Sequence, residues 1–153
     1  MTSVNLLKND LGEGAALIVA AAKQQGNIKT LGGIEEGKTK VSFVPQSLKA
    51  PDAVLLSFDL EFNRSLKSAD FSVNEIGDEG TAALSEALKT NSTLETLELR
   101  DTEIGAAGVQ SLAGMLQVNR ALNSVDLRDN RIPDAGKQQL RDAVKGKNIT
   151  LQL

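Results

Sequence analysis

A period of 28 residues constrains this chain more than any single motif in it. LETLELRDTEIGAAGVQSLAGMLQVNRA begins at Leu94. Moved forward by 28 positions it falls on LNSVDLRDNRIPDAGKQQLRDAVKGKNI from Leu122, and moved back it falls on LKSADFSVNEIGDEGTAALSEALKTNST from Leu66. The copy at Leu94 opens with apolar residues at alternate positions (Leu97, Leu99), crosses a turn near Ile104-Gly105 and continues with Val109, Leu112, Met115 and Leu116 at helical spacing. Alternation buries one side of a strand, and the 3–4 spacing buries one side of a helix. A strand–turn–helix unit this small cannot cover its own apolar face, so the units must stack into one continuous core.

The period extends beyond the three clear copies. Val41 and Phe43 read as a strand, Leu48 as a turn, Leu56 and Leu60 as helix and Asn63 as the helix end. Earlier still, Val4, Leu6, Asn9, Leu11 and Gly12 match Ala69, Phe71, Asn74, Ile76 and Gly77. That match predicts a short strand from Val4 and a helix over roughly Glu13–Gln25. Ile28–Gly37 looks like a strand start without its helix, a ten-residue insertion that breaks the period once. Thr150–Leu153 reads as one more strand. The expectation is a single domain over 1–153, with an irregular repeat and insertion over 1–37, regular repeats over 38–149 and a terminal strand over 150–153. Its fold is a curved α/β solenoid with a parallel sheet on the concave face and helices on the convex face.

Recurrent polar residues have local reasons. Asn74 and Asn130 end strands, where an amide bonds backbone groups the sheet leaves open. Asp78, Glu79 and Asp134 fall in helix first turns, which favour negative charge. Gly80, Gly108 and Gly136 recur inside helices, where glycine costs about 1 kcal/mol relative to alanine, so close approach of a neighbouring turn or strand is expected. Asn63, Asn91 and Asn119 end helices, a position where asparagine tolerates left-handed geometry.

Composition narrows the chemistry. The chain has no Cys, His, Trp or Tyr. It therefore lacks disulfides, thiolate metal sites, the commonest general base and most aromatic platforms for bases. A formal net charge of −3 argues against a nucleic-acid partner. MTSVNLLKND carries no signal-peptide pattern, and the apolar run Ala15–Ala22 is too short to span a bilayer. A cytoplasmic protein without membrane attachment or cofactor is the expectation.

LETLELRDTEIG and LNSVDLRDNRIP resemble the leucine-rich repeat consensus LxxLxLxxNxI, and IGDEGTAALSEALKTN is similar to its ribonuclease-inhibitor-like class. The resemblance implies a non-catalytic scaffold that binds a partner protein through the concave sheet or its rim. An alternative it implies is a GTPase-activating regulator resembling the Ran GTPase activators, although no motif here transfers that family's functional residues. Fold alone licenses no reaction.

The strand register gives the candidate partner-binding residues. One outward column reads Asn5, Ser42, Asp70, Glu98 and Asp126, the next Leu7, Val44, Ser72, Arg100 and Arg128, and the one beside it Lys8, Pro45, Val73, Asp101 and Asp129. Asp70, Glu98, Arg100, Asp101, Asp126, Arg128 and Asp129 thus form an alternating charge lattice, with the arginines as anchors. Leu55, Phe58 and Phe62 make a secondary apolar stripe, which either packs on the insertion and first helix or stays exposed as an interface. Gly32–Thr39, GGIEEGKT, satisfies a phosphate-loop pattern, but its Thr leads toward a strand rather than a helix, so a nucleotide binder at 32–39 is disfavoured. Neither end shows a polar cap, so the expectation is either a homo-oligomer formed end to end or a place in a longer array.

Overall fold

Five short strands pair side by side at one constant offset. The structure, a computed structural model, describes residues 2–153. Strands β3 (Lys40–Ser42), β4 (Ser68–Asp70), β5 (Thr96–Glu98), β6 (Ser124–Asp126) and β7 (Thr150–Gln152) form a parallel sheet in sequence order. Val41, Ala69, Leu97, Val125 and Leu151 stand opposite one another across it. Helices α2 (Ala50–Phe62), α3 (Gly77–Thr90), α4 (Ala106–Val118) and α5 (Asp134–Ala143) connect them as crossovers. The whole is a curved α/β solenoid. Leu94, Leu97, Leu99, Ile104, Leu112 and Leu116 of one repeat are all buried, and their counterparts in the next pack into the same core, with Val144 partly exposed at its end. Phe43 and Phe71 stack within it at 5.6 Å.

Two asparagine ladders tie the repeats together along opposite ends of this core. The Asn74 amide nitrogen donates to the carbonyls of Phe43 and Phe71, and its oxygen accepts from the N–H groups of Gln46 and Leu48. Asn130 does the same for Leu99, Leu127, Thr102 and Ile104. At the helix ends, Asn91 donates to the Leu60 carbonyl and Asn119 to that of Leu88, each at 2.6 Å. The next step of that ladder is Lys147, whose ammonium donates to the carbonyls of Leu116, Gln117 and Asn119. The expected left-handed geometry at Asn63, Asn91 and Asn119 is absent, since all three have φ between −71° and −65° and extended ψ. They are asparagine for their hydrogen bonds.

The glycine expectation holds for the turn, and a helix approaches as well. A Cβ on Gly80 would lie 2.6 Å from Ile76 Cγ2 in the turn before its own helix and 2.9 Å from Ala53 Cβ on the preceding helix. Asp78 also acts across repeats. Its Oδ1 accepts from the N–H groups of Gly105 and Gly108 at 2.7 and 2.9 Å, capping α4 from α3.

The N-terminal unit keeps the local turn but leaves the sheet. Asn9 donates to the carbonyls of Leu6 and Leu7 much as Asn74 does to those of Phe71 and Ser72. Gly12 is left-handed, as is Gly77. The strand itself lies earlier than Val4: β1 (Thr2–Ser3) pairs with β2 (Ile28–Thr30) in a separate two-stranded sheet, with helix α1 (Gly14–Gln25) between them. No helix separates β2 from β3. What holds the insertion against the solenoid is Asp59 on α2, which accepts from the N–H groups of Leu31, Gly32 and Ile34 at 2.6, 3.1 and 2.9 Å.

Candidate partner-binding face

The outward column of the sheet is an acid row. Ser42, Asp70, Glu98, Asp126 and Gln152 are register partners across five adjacent strands, which places three carboxylates side by side. Asn5 does not extend this row; it bridges Gly32 within the N-terminal unit, while Leu7 packs against the main core and the Lys8 N–H donates to Asp52 on α2. Neighbouring strands lie about 4.8 Å apart, so like charges directly opposite one another repel. Burial, together with Asp70 and Asp126 on the flanking strands, raises the Glu98 pKa against the opposing pull of Arg128. Asp126 goes the other way because the Arg128 side chain donates to it.

The two arginines are committed to neighbours. Arg128 contacts both Asp126 carboxylate oxygens at 2.6–3.1 Å, while Arg100 pairs with Asp129 on the adjacent repeat at 2.6 Å. Both guanidinium side chains remain about half exposed. The Arg100–Asp129 pair is exposed on both sides, and such pairs contribute about 0–1 kcal/mol, whereas Asp126 is buried beneath its arginine. Asp70 and Glu98 have no ion-pair partner among the described residues. Asp101 and Asp129 sit with Val73 at one recurring turn position, at φ of +51°, +58° and +58°.

Val73 is a residue the charge pattern alone did not single out. A β-branched side chain in the left-handed region is strained, and Val73 is also exposed, as is Val44 one strand over. Its signal was a valine where the two following repeats place aspartate. The N-terminal half of this rim is therefore apolar and the C-terminal half charged.

The Leu55–Phe62 stripe is divided. Leu55 and Phe58 are buried against Ala15, Ala22 and Leu31 of the N-terminal unit, and Phe62 stays 47 % exposed. At Gly32–Thr39 the chain runs from Thr39 directly into β3, and Lys38 lies 3.9 Å from Glu35. The helix N-terminus that a phosphate loop requires is not there. Among the described residues no cluster of His, Cys, Asp and Glu is arranged to hold a metal ion, and no helix is long and apolar enough to cross a membrane.

Comparison with known proteins agrees with this geometry. A family model described as "Leucine Rich repeat" matches residues 55–85 and 90–113. No curated protein matches the sequence. Among solved structures, the chain is similar to leiomodin-1 actin-binding site 2, with a TM-score of 0.67 and 19 % identity over 74 % of this chain and 69 % of that one. It is also similar to the tropomodulin C-terminal domain of Caenorhabditis elegans, with a TM-score of 0.56 and 13 % identity over 94 % and 81 %. At these identities the likeness is one of fold.

Proposed function

We propose that this chain is a non-catalytic protein-interaction scaffold whose concave face receives a basic, partly apolar segment of a partner protein. The observation that carries this reading is the Asp70–Glu98 pair, two carboxylates on adjacent strands without a cation of their own. The nearby arginines are already engaged by Asp126 and Asp129. A cation supplied from outside relieves the repulsion between the two acids. The exposed Val44 and Val73 offer an apolar contact beside it. Asp101 and the exposed faces of Arg100 and Arg128 then form the charged rim that fixes orientation.

Affinity capture from native extract tests the reading. The wild-type chain, Asp70→Lys/Glu98→Lys on the concave face, Arg100→Glu/Arg128→Glu on its rim, and Glu86→Lys on the exposed part of α3 are compared. The concave and rim variants are expected to lose a partner that Glu86→Lys retains. A partner that survives the concave double substitution rules this face out. Because one similar structure is that of an actin-binding site, co-sedimentation with filamentous actin is the first defined assay. GTP hydrolysis by candidate GTPases in the presence of the chain separates the scaffold from a GTPase activator.

A further inference from the structure

The repeat sorts charge as well as leucines. The strands of the main sheet are parallel, so strand ends and helix starts lie along one edge of the solenoid, and helix ends and strand starts along the other. The N-terminal unit follows suit: Lys8 N–H meets Asp52 at the start of α2, and Lys23 near the end of α1 pairs with Glu61 near the end of α2. On the first edge, residues 5–14, 42–52, 70–80, 98–108 and 126–136 hold thirteen acids and five cations. On the second, residues 23–40, 61–68, 89–96, 117–124 and 145–150 hold ten cations and four acids, with Glu86 beside Lys89 as a fifth acid. A chain of net charge −3 thus carries a surplus of five positive charges along one edge.

Ion pairs and helix dipoles do not absorb this surplus. Lys23, Lys38, Lys67 and Lys89 pair with Glu61, Glu35, Glu95 and Glu86, and Lys147 is spent on the carbonyls that end α4. That leaves Lys29, Lys40, Arg64, Arg120 and Lys145, all exposed and without an ion-pair partner among the described residues, against the single acid Glu36. None of the five stands in the last turn of a helix, where the dipole alone favours a cation. Apolar side chains project among them. Phe62 at the end of α2 and Val118 at the end of α4 occupy the same repeat position and are 47 % and 53 % exposed. Thr90 holds that position between them, so they form two separate projections rather than one continuous groove.

We infer that this basic edge docks on the surface of an anionic lipid membrane, separately from the concave face. Its unpaired cations are spread over successive loops along the length of the stack, which fits an extended anionic surface better than one short protein segment. Lysines and arginines close to such a surface each add to the attraction. An aromatic or aliphatic side chain projecting among them enters the headgroup region. Lying on a membrane needs no apolar span, so the shortness of the Ala15–Ala22 run does not weigh against it. In this orientation the acidic edge points away from the like-charged lipid.

Co-sedimentation with vesicles tests this. The probes are phosphatidylcholine vesicles with about 30 % phosphatidylserine, pure phosphatidylcholine vesicles, and poly-L-glutamate immobilised on beads. The wild-type chain is expected to bind the phosphatidylserine vesicles at least about 10-fold more tightly than the neutral ones, and to release them in about 1 M salt. Arg64→Glu/Arg120→Glu should weaken binding at least about 10-fold. Lys8→Glu/Arg131→Glu makes the same change of net charge on the acidic edge and should leave binding within about 2-fold. Phe62→Ser/Val118→Ser should weaken it about 5-fold without altering its salt dependence. An unchanged urea midpoint shows that a variant folds, and Lys29→Glu/Lys145→Glu replaces the arginine pair if that one does not. The inference is overturned if the phosphatidylserine vesicles bind no better than neutral ones at about 1 mM lipid, or if the two charge-matched variants lose binding equally. Retention on poly-L-glutamate as tight as on the vesicles reassigns the edge to acidic proteins and overturns the membrane assignment.

Discussion

Replacing Asn91 by alanine tests whether the helix-end ladder holds the repeats together. Asn91 is 3 % exposed. Its oxygen accepts from the N–H groups of Thr93 and Leu94 at 3.0 and 2.8 Å, and its nitrogen donates to the carbonyls of Leu60 and Asn63 at 2.6 and 3.4 Å. Leu60 and Leu94 are themselves fully buried, so water cannot take over. Each buried group left unsatisfied costs about 1–3 kcal/mol, which gives about 2–5 kcal/mol for Asn91→Ala. That is a large part of the 5–15 kcal/mol typical of a domain. Urea unfolding with an unchanged m-value reads it directly. Asn63→Ala should cost less, because the Asn63 amide donates only one long bond to Glu35 while its oxygen still holds Ser65 and Leu66. Asn91→Asp keeps the acceptor but turns a carboxylate toward two carbonyls, so its stability should recover on acidification, when the protonated acid can donate again. A loss below 1 kcal/mol for Asn91→Ala, or an equal loss at Asn63, refutes the ladder argument.

Further tests address other departures from the period. Burial raises the Asp59 pKa from 3.8 to about 6 despite the three N–H groups that favour its charge. The folded state therefore binds the proton more tightly than the unfolded chain. This group's stabilising contribution is full below about pH 3.8 and is lost as pH rises through about 6. Relative to Asp59→Asn, the wild type should lose about 2–3 kcal/mol between pH 4 and 7, and a flat difference in chemical melts contradicts this. Val73→Asn removes a β-branched residue from φ +58° and should stabilise by about 1 kcal/mol in urea. Two glycine-to-alanine changes should differ in sign. Gly114→Ala, with nothing within 4 Å of the new methyl, gains about 1 kcal/mol, whereas Gly80→Ala meets Ile76 and Ala53 and destabilises. Differential scanning calorimetry on the pair decides it.

The solenoid was legible because its information is repeated. Leu97 alone is one leucine, but Ala69, Leu97 and Val125 at equal spacing fix a strand, a register and a buried face together. The acid row followed from the same counting. What counting could not supply were relations between repeats that share no residue type. Asp78 reads as a favourable charge on its own helix, yet its carboxylate caps the next one. The helix-end ladder reads as asparagine three times, and only the geometry shows Lys147 completing it through a different side chain. The N-terminal unit was recognised by its turn residues but misplaced laterally, because turn chemistry is local whereas sheet pairing depends on the length of the crossover. Ten residues without a helix cannot carry β2 into the main sheet, and Asp59, aligned with Ala87 and Met115, gives no periodic warning that it anchors them instead.

In a stacked repeat, conformity and function are read from opposite residues. Positions that obey the period are explained by the core they share, since each is required by the copy before and after it. A departure from the period either repairs the stack or serves something outside it. Asp59 and Lys147 belong to the first kind, because every bond they make ends on backbone of a neighbouring repeat or of the insertion. Val73 belongs to the second: it is exposed and strained, and it does not make the stack tighter. It follows β4 beside the acid row. Substituting it should therefore weaken partner binding at the concave face while leaving unfolding nearly unchanged or improved. If Val73→Asn captures the partner as well as the wild type does, the exposed valine is no part of that face.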